Sequence, residues 1–388
     1  MTNAKQWAWA WHRQGLDGSQ AGKDSAAMLA ETGWVRSVGG ANPYLSLFAR
    51  AGLRRDQVDA DVAQASIHEL PVVRGCTYVL GAEDFPWALQ LGTGAAEATV
   101  KVLHRLGVEQ AEVDSLAEQT LAVLQERGPL DPKDLKNSLG DAVRSLGEEG
   151  KKKGASTTLP TALGLLQADG RIRRVPVNGR LDQQRYAYQA WGLEPSGLSD
   201  QQARAKVMEK YLHWTGGATL KQSQWFTAFT VAQSKAALAD VAAVENDGVW
   251  MLPGDHDAYQ DFKAPEDEQI QLLAGTDGLF LLKRNASDFL AEEDRDRSVL
   301  GEKSLALTAD LPDHPIVDRG QIIGLWQYDP GQEEVVAWTF KKPTAAVSKR
   351  VSEVEAYIRQ DLGDFRSFSL DSPASRQKRI DALRAAQG

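Results

Sequence analysis

Few side chains in this sequence stand in patterns that do chemistry unaided. His256 lies between Asp255 and Asp257, and imidazole with carboxylate suits zinc or manganese. Adjacent residues rarely point at one ion, so the run reads as an acidic loop, and no metal or other cofactor is expected. No Ser, His and Asp form a recognisable nucleophilic arrangement, and no Gly-rich loop ends in Gly-Lys-Ser. The segment Trp34 to Pro43 is small and Gly-rich, with Gly39-Gly40 just ahead of the helix Tyr44 to Ala51. Such a loop lets backbone approach a ligand and presents unpaired N–H groups, although a tight connection is its plainer use. A third candidate is the run Lys151 to Trp191. It holds Lys151, Lys152, Lys153, Arg171, Arg173, Arg174, Arg180 and Arg185 against Asp169 and Asp182, a local excess of six in a chain of net charge -9. Phosphates are met by local patches rather than by net charge, and a solvated basic hairpin is the alternative.

The elements that must carry these residues come in a repeating order. Residues 1–127 read as a mainly helical unit, with an apolar ribbon from Glu69 to Leu80 interrupted at Arg74-Gly75. Residues 128–192 open on Asp131-Pro132, a helix start, and continue as one helix from Lys133 to Leu146. A capped helix from Ser156-Thr157-Thr158-Leu159-Pro160 follows, then a ribbon folded at Asn178-Gly179. Residues 201–252 repeat helix, helix, helix and ribbon, the ribbon turning at Asp247-Gly248. From 253 to 342 short apolar runs separated by turns suit a small antiparallel barrel; among them are Ile270 to Leu273, Leu279 to Leu282 and Ile322 to Trp326. Residues 343–388 close as helices, with Val347, Val351, Val354, Ile358 and Leu362 on one stripe. The expected fold class is therefore mainly α with small β ribbons: three tandem winged helix-turn-helix units, a C-terminal antiparallel β-barrel-like domain and a closing helix.

At 388 residues and 42% hydrophobic content the chain can bury several cores. No run approaches the roughly 18 apolar residues of a membrane span, so a cytoplasmic protein with no membrane partner is expected. Cys76 stands alone and excludes an internal disulfide or a cysteine-rich zinc site. Between Pro253 and Asp310 fourteen acidic residues face six basic ones, which accounts for nearly all of the net charge and leaves the rest of the chain close to neutral.

In its order of motifs the chain resembles the winged-helix DNA-binding family that includes the AlkZ-like DNA glycosylases. Arg13-Gln14-Gly15-Leu16 is similar to the family's Arg-Gln-x-Leu, and Pro43-Tyr44 through Arg50 to the helix after its active-site loop. Val73-Arg74-Gly75 with Glu83-Asp84 is similar to its Arg-Gly ribbon and acidic helix start. Asp277, Arg284 and the hairpin Asp318 to Trp326 resemble its C-terminal part. The resemblance implies three winged units around a DNA-binding concavity, and release of alkylated bases through a Gln-x-Gln or Gln-x-Asp pair that positions water. That pair would fall at Gly39 and Ala41, and no Gln or carboxylate occurs between Glu31 and Asp56. Ser37 and Asn42 are the small polar side chains there able to hold a water.

Three functions follow as expectations. The first is a DNA-binding winged-helix protein linked to repair of, or resistance to, DNA alkylation. Its contacts to double-stranded DNA would come from Lys151, Lys152, Lys153, Thr157, Thr158, Arg171, Arg173, Arg174, Arg180, Arg13, Gln14 and Arg74. The second is a glycosylase of alkylated bases in which Ser37 or Asn42, or a residue from another segment, replaces the lost pair. The third is a protein that binds or sequesters a DNA-reactive small molecule, favoured by the eleven Trp.

Overall fold

The computed structural model describes residues 4–183, 185–363, 365–368 and 371–387. In the N-terminal part a three-stranded antiparallel sheet forms in the order β1 (Val35–Arg36), β3 (Thr77–Gly81), β2 (Ile67–Pro71). Helices Ser25–Thr32 and Asn42–Ala51 flank β1. Asp24 caps the first through the Ala27 amide, and Gly33 ends it with φ of 112°, a backbone state that excludes most other residues. The expected Glu69–Leu80 ribbon is therefore β2 and β3, joined by the turn Val73–Gly75. What the sequence did not show is β1, a two-residue edge that brings the Gly-rich loop onto this sheet.

The central part holds helices Pro132–Leu139, Gly147–Lys152 and Leu159–Ala168, then the hairpin β4 (Ile172–Pro176) and β5 (Tyr186–Ala190). The single helix expected over 133–146 breaks at Gly140, whose φ of 52° with ψ of −125° is not helical. Lys151 and Lys152 form the end of a short helix rather than a loop leading into one. In the next part, helix Asp200–Thr215 leads through β6 (Ala218–Thr219) into helices Leu220–Thr227 and Val231–Asp240. The hairpin β7 (Val244–Asn246) and β8 (Val249–Met251) follows, and the sheet order is β6-β8-β7. Capping boxes at Ser199/Gln202, Thr219/Gln222 and Thr230/Gln233 start all three helices, each satisfying two otherwise orphaned amides.

The C-terminal sheet meets the expectation in part, being antiparallel but open. Strands β9 (Ile270–Leu272), β10 (His314–Asp318), β11 (Gln321–Asp329) and β12 (Glu334–Thr339) pair in the order β12-β11-β10-β9, an open antiparallel sheet and not a closed barrel. Between the Ile316–Gly324 and Val317–Ile322 pairs β11 carries one extra residue, Ile323, and an inserted residue bends the strand that carries it. Leu279 to Leu282 is not a strand. Asp277 caps Gly278–Leu281 into a helical turn by accepting the Leu279 amide, and the apolar run, too short to fix a period, follows its cap. The apolar stripe of the closing helix is real, but after Tyr357 the helix widens over Ile358–Leu362 and stops at Gly363.

Two cores weld these parts together. One joins Tyr44, Leu47 and Val79 of the N-terminal part to Ile316, Trp326 and Tyr357 of the C-terminal part, and takes in Leu181 from the β4–β5 loop. The other joins Trp34, Tyr78 and Trp87 to Tyr211, Trp214 and Phe226. The Gly-rich loop therefore sits where three parts of the chain meet.

Candidate active site

The loop after β1 is held from three sides. Trp34 is buried against Trp87 and Trp214, and its indole N–H donates to Asp84 Oδ2 at 2.8 Å, with Lys210 on the other oxygen at 3.2 Å. Asn42 donates from Nδ2 to the Arg36 carbonyl at 2.6 Å, closing the loop on itself. At the far side the Ala41 amide donates to the Arg366 carbonyl at 2.8 Å. A Cβ on Gly40 would lie 2.1 Å from the Ser367 carbonyl oxygen, so glycine is required there by close backbone approach.

Behind the loop lies a buried polar chain. Arg50 Nη1 and Nη2 each reach an Asp277 oxygen at 2.8 Å, and both side chains are almost wholly buried. Burial alone would push the Asp277 carboxyl up, but the Arg50 charge, its hydrogen bonds and the Leu279 amide hold it below the usual carboxylate range. The Ser46 hydroxyl lies 2.9 Å from Asp277 Oδ2 and 3.3 Å from Asn42 Oδ1, which carries the chain to the loop.

In front of the loop is a pocket of about 90 Å³, lined by Ser37, Gly39, Glu69, Thr77, Arg174, Pro176, Leu181, Gln183 and Tyr186. Ser37 donates its hydroxyl to Glu69 Oε1 across the sheet, while its amide donates to the Thr77 carbonyl at 3.1 Å. Arg174 reaches in from β4, donating from Nη2 to Thr77 Oγ1 and from Nε to Gln167 Oε1, both at 3.1 Å, with its guanidinium 4.8 Å from the Tyr186 ring centre. Burial pushes the Glu69 carboxyl above its ordinary range, opposed by the Ser37 hydroxyl and the Arg174 charge. The pocket is far below the roughly 300 Å³ at which small-molecule sites begin, and it suits a few waters around one carboxylate.

Of the residues singled out in the sequence, Ser37 and Arg174 line this pocket, and Asn42 does not. Asn42 is 2% exposed and faces the loop's own backbone. Gln14 is equally buried, donating to the Thr32 and Trp214 carbonyls and accepting from Arg50. Arg13 is held by the His213 carbonyl at 2.8 Å and Asp255 at 3.3 Å. No metal-ligand cluster is found among the described residues. Arg74 lies 4.1 Å from the Trp225 ring centre, in the turn below β3. Arg171 forks onto Glu118 at 2.7 and 2.8 Å, Lys151 pairs with Glu148 at 2.7 Å, and Lys153 with Glu149 at 3.2 Å. Arg173 is partly buried with its guanidinium 5.8 Å from the Trp191 ring centre. Thr157 bridges to Ser145, and Thr158 is buried, its hydroxyl accepting the Arg144 amide. Arg180 forks onto Asp182 and donates to the Leu362 carbonyl at 2.8 Å, pinning the β4–β5 loop to the closing helix. Lys152 and Arg185 are exposed cations with no protein partner among the described residues.

A model of the AlkZ-like DNA glycosylase family matches residues 16–368. The chain belongs to the AlkZ-like DNA glycosylase family. Among solved structures, the DNA glycosylase AlkZ of Streptomyces sahachiroi is similar with a TM-score of 0.68 and 18% identity, over 94% of this chain and 98% of that one. A search of curated proteins returned no significant match. Membership of this glycosylase family ties the chain to DNA repair and to DNA as its partner. Among the described residues no helix is long and apolar enough to cross a membrane.

Sequence reasoning missed Glu69. Its signal was present: a carboxylate in a strand whose neighbours Ile67, His68 and Leu70 are buried is costly unless paired, and such residues cluster at functional sites. Gln183 was missed too; it lies in the β4–β5 loop, which only the tertiary structure brings over the pocket.

Proposed function

We propose that this protein binds duplex DNA and releases alkylated bases by hydrolysis of the N-glycosidic bond at the Ser37–Glu69 pocket. The observation that carries the reading is a polar, water-sized pocket at the loop where the family resemblance puts the chemistry. The two helix–helix–helix–hairpin parts act as winged units along the duplex, and exposed cations such as Lys152 and Arg185 meet phosphate. An alkylated purine carries positive charge and leaves as a neutral base, so the protein has to supply water and stabilise the developing sugar cation rather than protonate a leaving group. Methylated duplex incubated with excess protein under single-turnover conditions should release free methylpurine and leave abasic sites. No release, with intact binding to plain duplex at low salt, would leave a DNA-binding protein without this chemistry.

That second reading is favoured by one specific observation: positions 37 to 42 hold no Gln and no carboxylate. A small-molecule reading would draw on a cavity of about 630 Å³ between the first helix, β8 and the segment Lys283–Arg295. Tryptophan fluorescence titrated with a DNA-alkylating compound in the absence of DNA tests it, because a protein that binds DNA alone does not respond.

A further inference from the structure

We infer that Glu69, partnered by Ser37, is the water-activating residue of this pocket and replaces the missing loop pair from a different strand; the inference rests on the base-release reading above. The two residues are 32 positions apart and come together because β1 and β2 flank β3, so that the two side chains meet across it. A Ser37 hydroxyl that donates to Oε1 keeps its lone pairs free for a water, and Oε2 of the same carboxylate is left as the second acceptor. Those two acceptors are what a water needs to be held with one lone pair aimed outward. Arg174 is the other charged residue of the lining, and it is fixed by Thr77 and Gln167. His68, next to Glu69 on β2, packs instead against Phe85 and Trp191, so it does not share the proton.

The step balances without a cofactor. Water oxygen bonds to the sugar C1′ as the C1′–N bond to the cationic base breaks, and the bonding pair leaves with the base, which becomes neutral. The water proton passes to the Glu69 carboxylate and from there to solvent. During the step the carboxylate also offsets the positive charge that builds on the sugar ring. Arg174 acts as a positioning residue: its charge opposes the burial that pushes the Glu69 carboxyl up.

The test uses full-length protein and duplex methylated with dimethyl sulfate, reading base release, duplex affinity and thermal midpoint together. Glu69→Gln should lower the single-turnover rate by about 100-fold or more, the usual range for loss of a general base, with duplex affinity within about twofold. Its thermal midpoint should be unchanged or higher, because a carboxylate whose pKa is raised on folding weakens the fold once ionised. Ser37→Ala should lower the rate by about tenfold. Wild-type rates should rise with pH through a midpoint above the ordinary carboxylate value of 4.5, a rise that Glu69→Gln abolishes. A Glu69→Gln rate within threefold of wild type overturns the inference and leaves the base-release reading standing. So does joint loss of stability, binding and rate, which marks a structural residue. If wild-type protein releases no methylpurine, the base-release reading fails and the inference falls with it.

Discussion

Replacing Arg50 by Met removes the cation from a carboxylate that has no access to water. Asp277 is 0% exposed and Arg50 4%. The carboxylate accepts four hydrogen bonds: two from Arg50 at 2.8 Å, one from Ser46 at 2.9 Å and one from the Leu279 amide at 3.0 Å. The variant keeps the last two and leaves a buried charge half satisfied, which costs about 3–5 kcal/mol. With an unfolding entropy of about 2.1 cal/mol/K per residue over 388 residues, near 0.8 kcal/mol/K in all, that is a fall of about 4–6 °C in a cooperative thermal transition. The double variant Arg50→Met with Asp277→Leu removes both charges. It should recover a large part of the loss, short of about 1 kcal/mol for the lost cap on Gly278–Leu281. Urea unfolding of wild type, both single variants and the double variant gives the coupling energy. Because Ser46 links the pair to Asn42, base release by Arg50→Met should also fall at temperatures where the protein is still folded. A cost below about 1 kcal/mol for the single variant, or strict additivity in the double, would refute this account of the network.

Gly40→Ala should cost about 1–3 kcal/mol by overpacking and displace the loop, since its Cβ meets the Ser367 carbonyl; denaturant midpoints and duplex binding check this. The fold should weaken as pH falls from about 6.5 towards 4. Burial pushes the His314 imidazole down to about 4, and its Nδ1 accepts the Gly275 amide at 2.9 Å while Nε2 lies 2.7 Å from the Ser367 hydroxyl. A group with a folded pKa below its unfolded value contributes stability above the unfolded pKa and loses it as protons are forced on. His314→Gln should flatten that slope in midpoint-against-pH measurements; an unchanged slope removes His314 as its source. Changing Lys152 and Arg185 together to Ala should weaken duplex binding and reduce the slope of log affinity against log salt by about two. Lys151→Ala, whose cation already has Glu148, should change that slope less in the same titration.

Much of the element pattern was legible because the signals are local. Asp131-Pro132, Ser199 with Gln202 and Thr219 with Gln222 start helices where a side chain satisfies an amide three residues on. Asp247-Gly248 turns a hairpin because both residues take positive φ. Local signals misled where tertiary contacts decide. Leu279 to Leu282 follows the Asp277 cap, which is formed because Arg50 holds Asp277 from 227 positions away. The run of cations from Lys151 to Arg180 reads as an open basic face in sequence, but Arg174 and Arg180 turn their guanidinium groups onto the protein's own interior partners and Arg171 is paired with Glu118 at the surface.

The sequence by itself determined the family, the order of helices and ribbons, and the absence of a Gln or carboxylate from the loop at 37 to 42, all of which depend on residue identity and short spacing. Only the tertiary structure decided where a carboxylate enters the site. Glu69 meets Ser37 because a two-residue edge strand pairs with β3, and no local pattern records a contact made across an intervening strand.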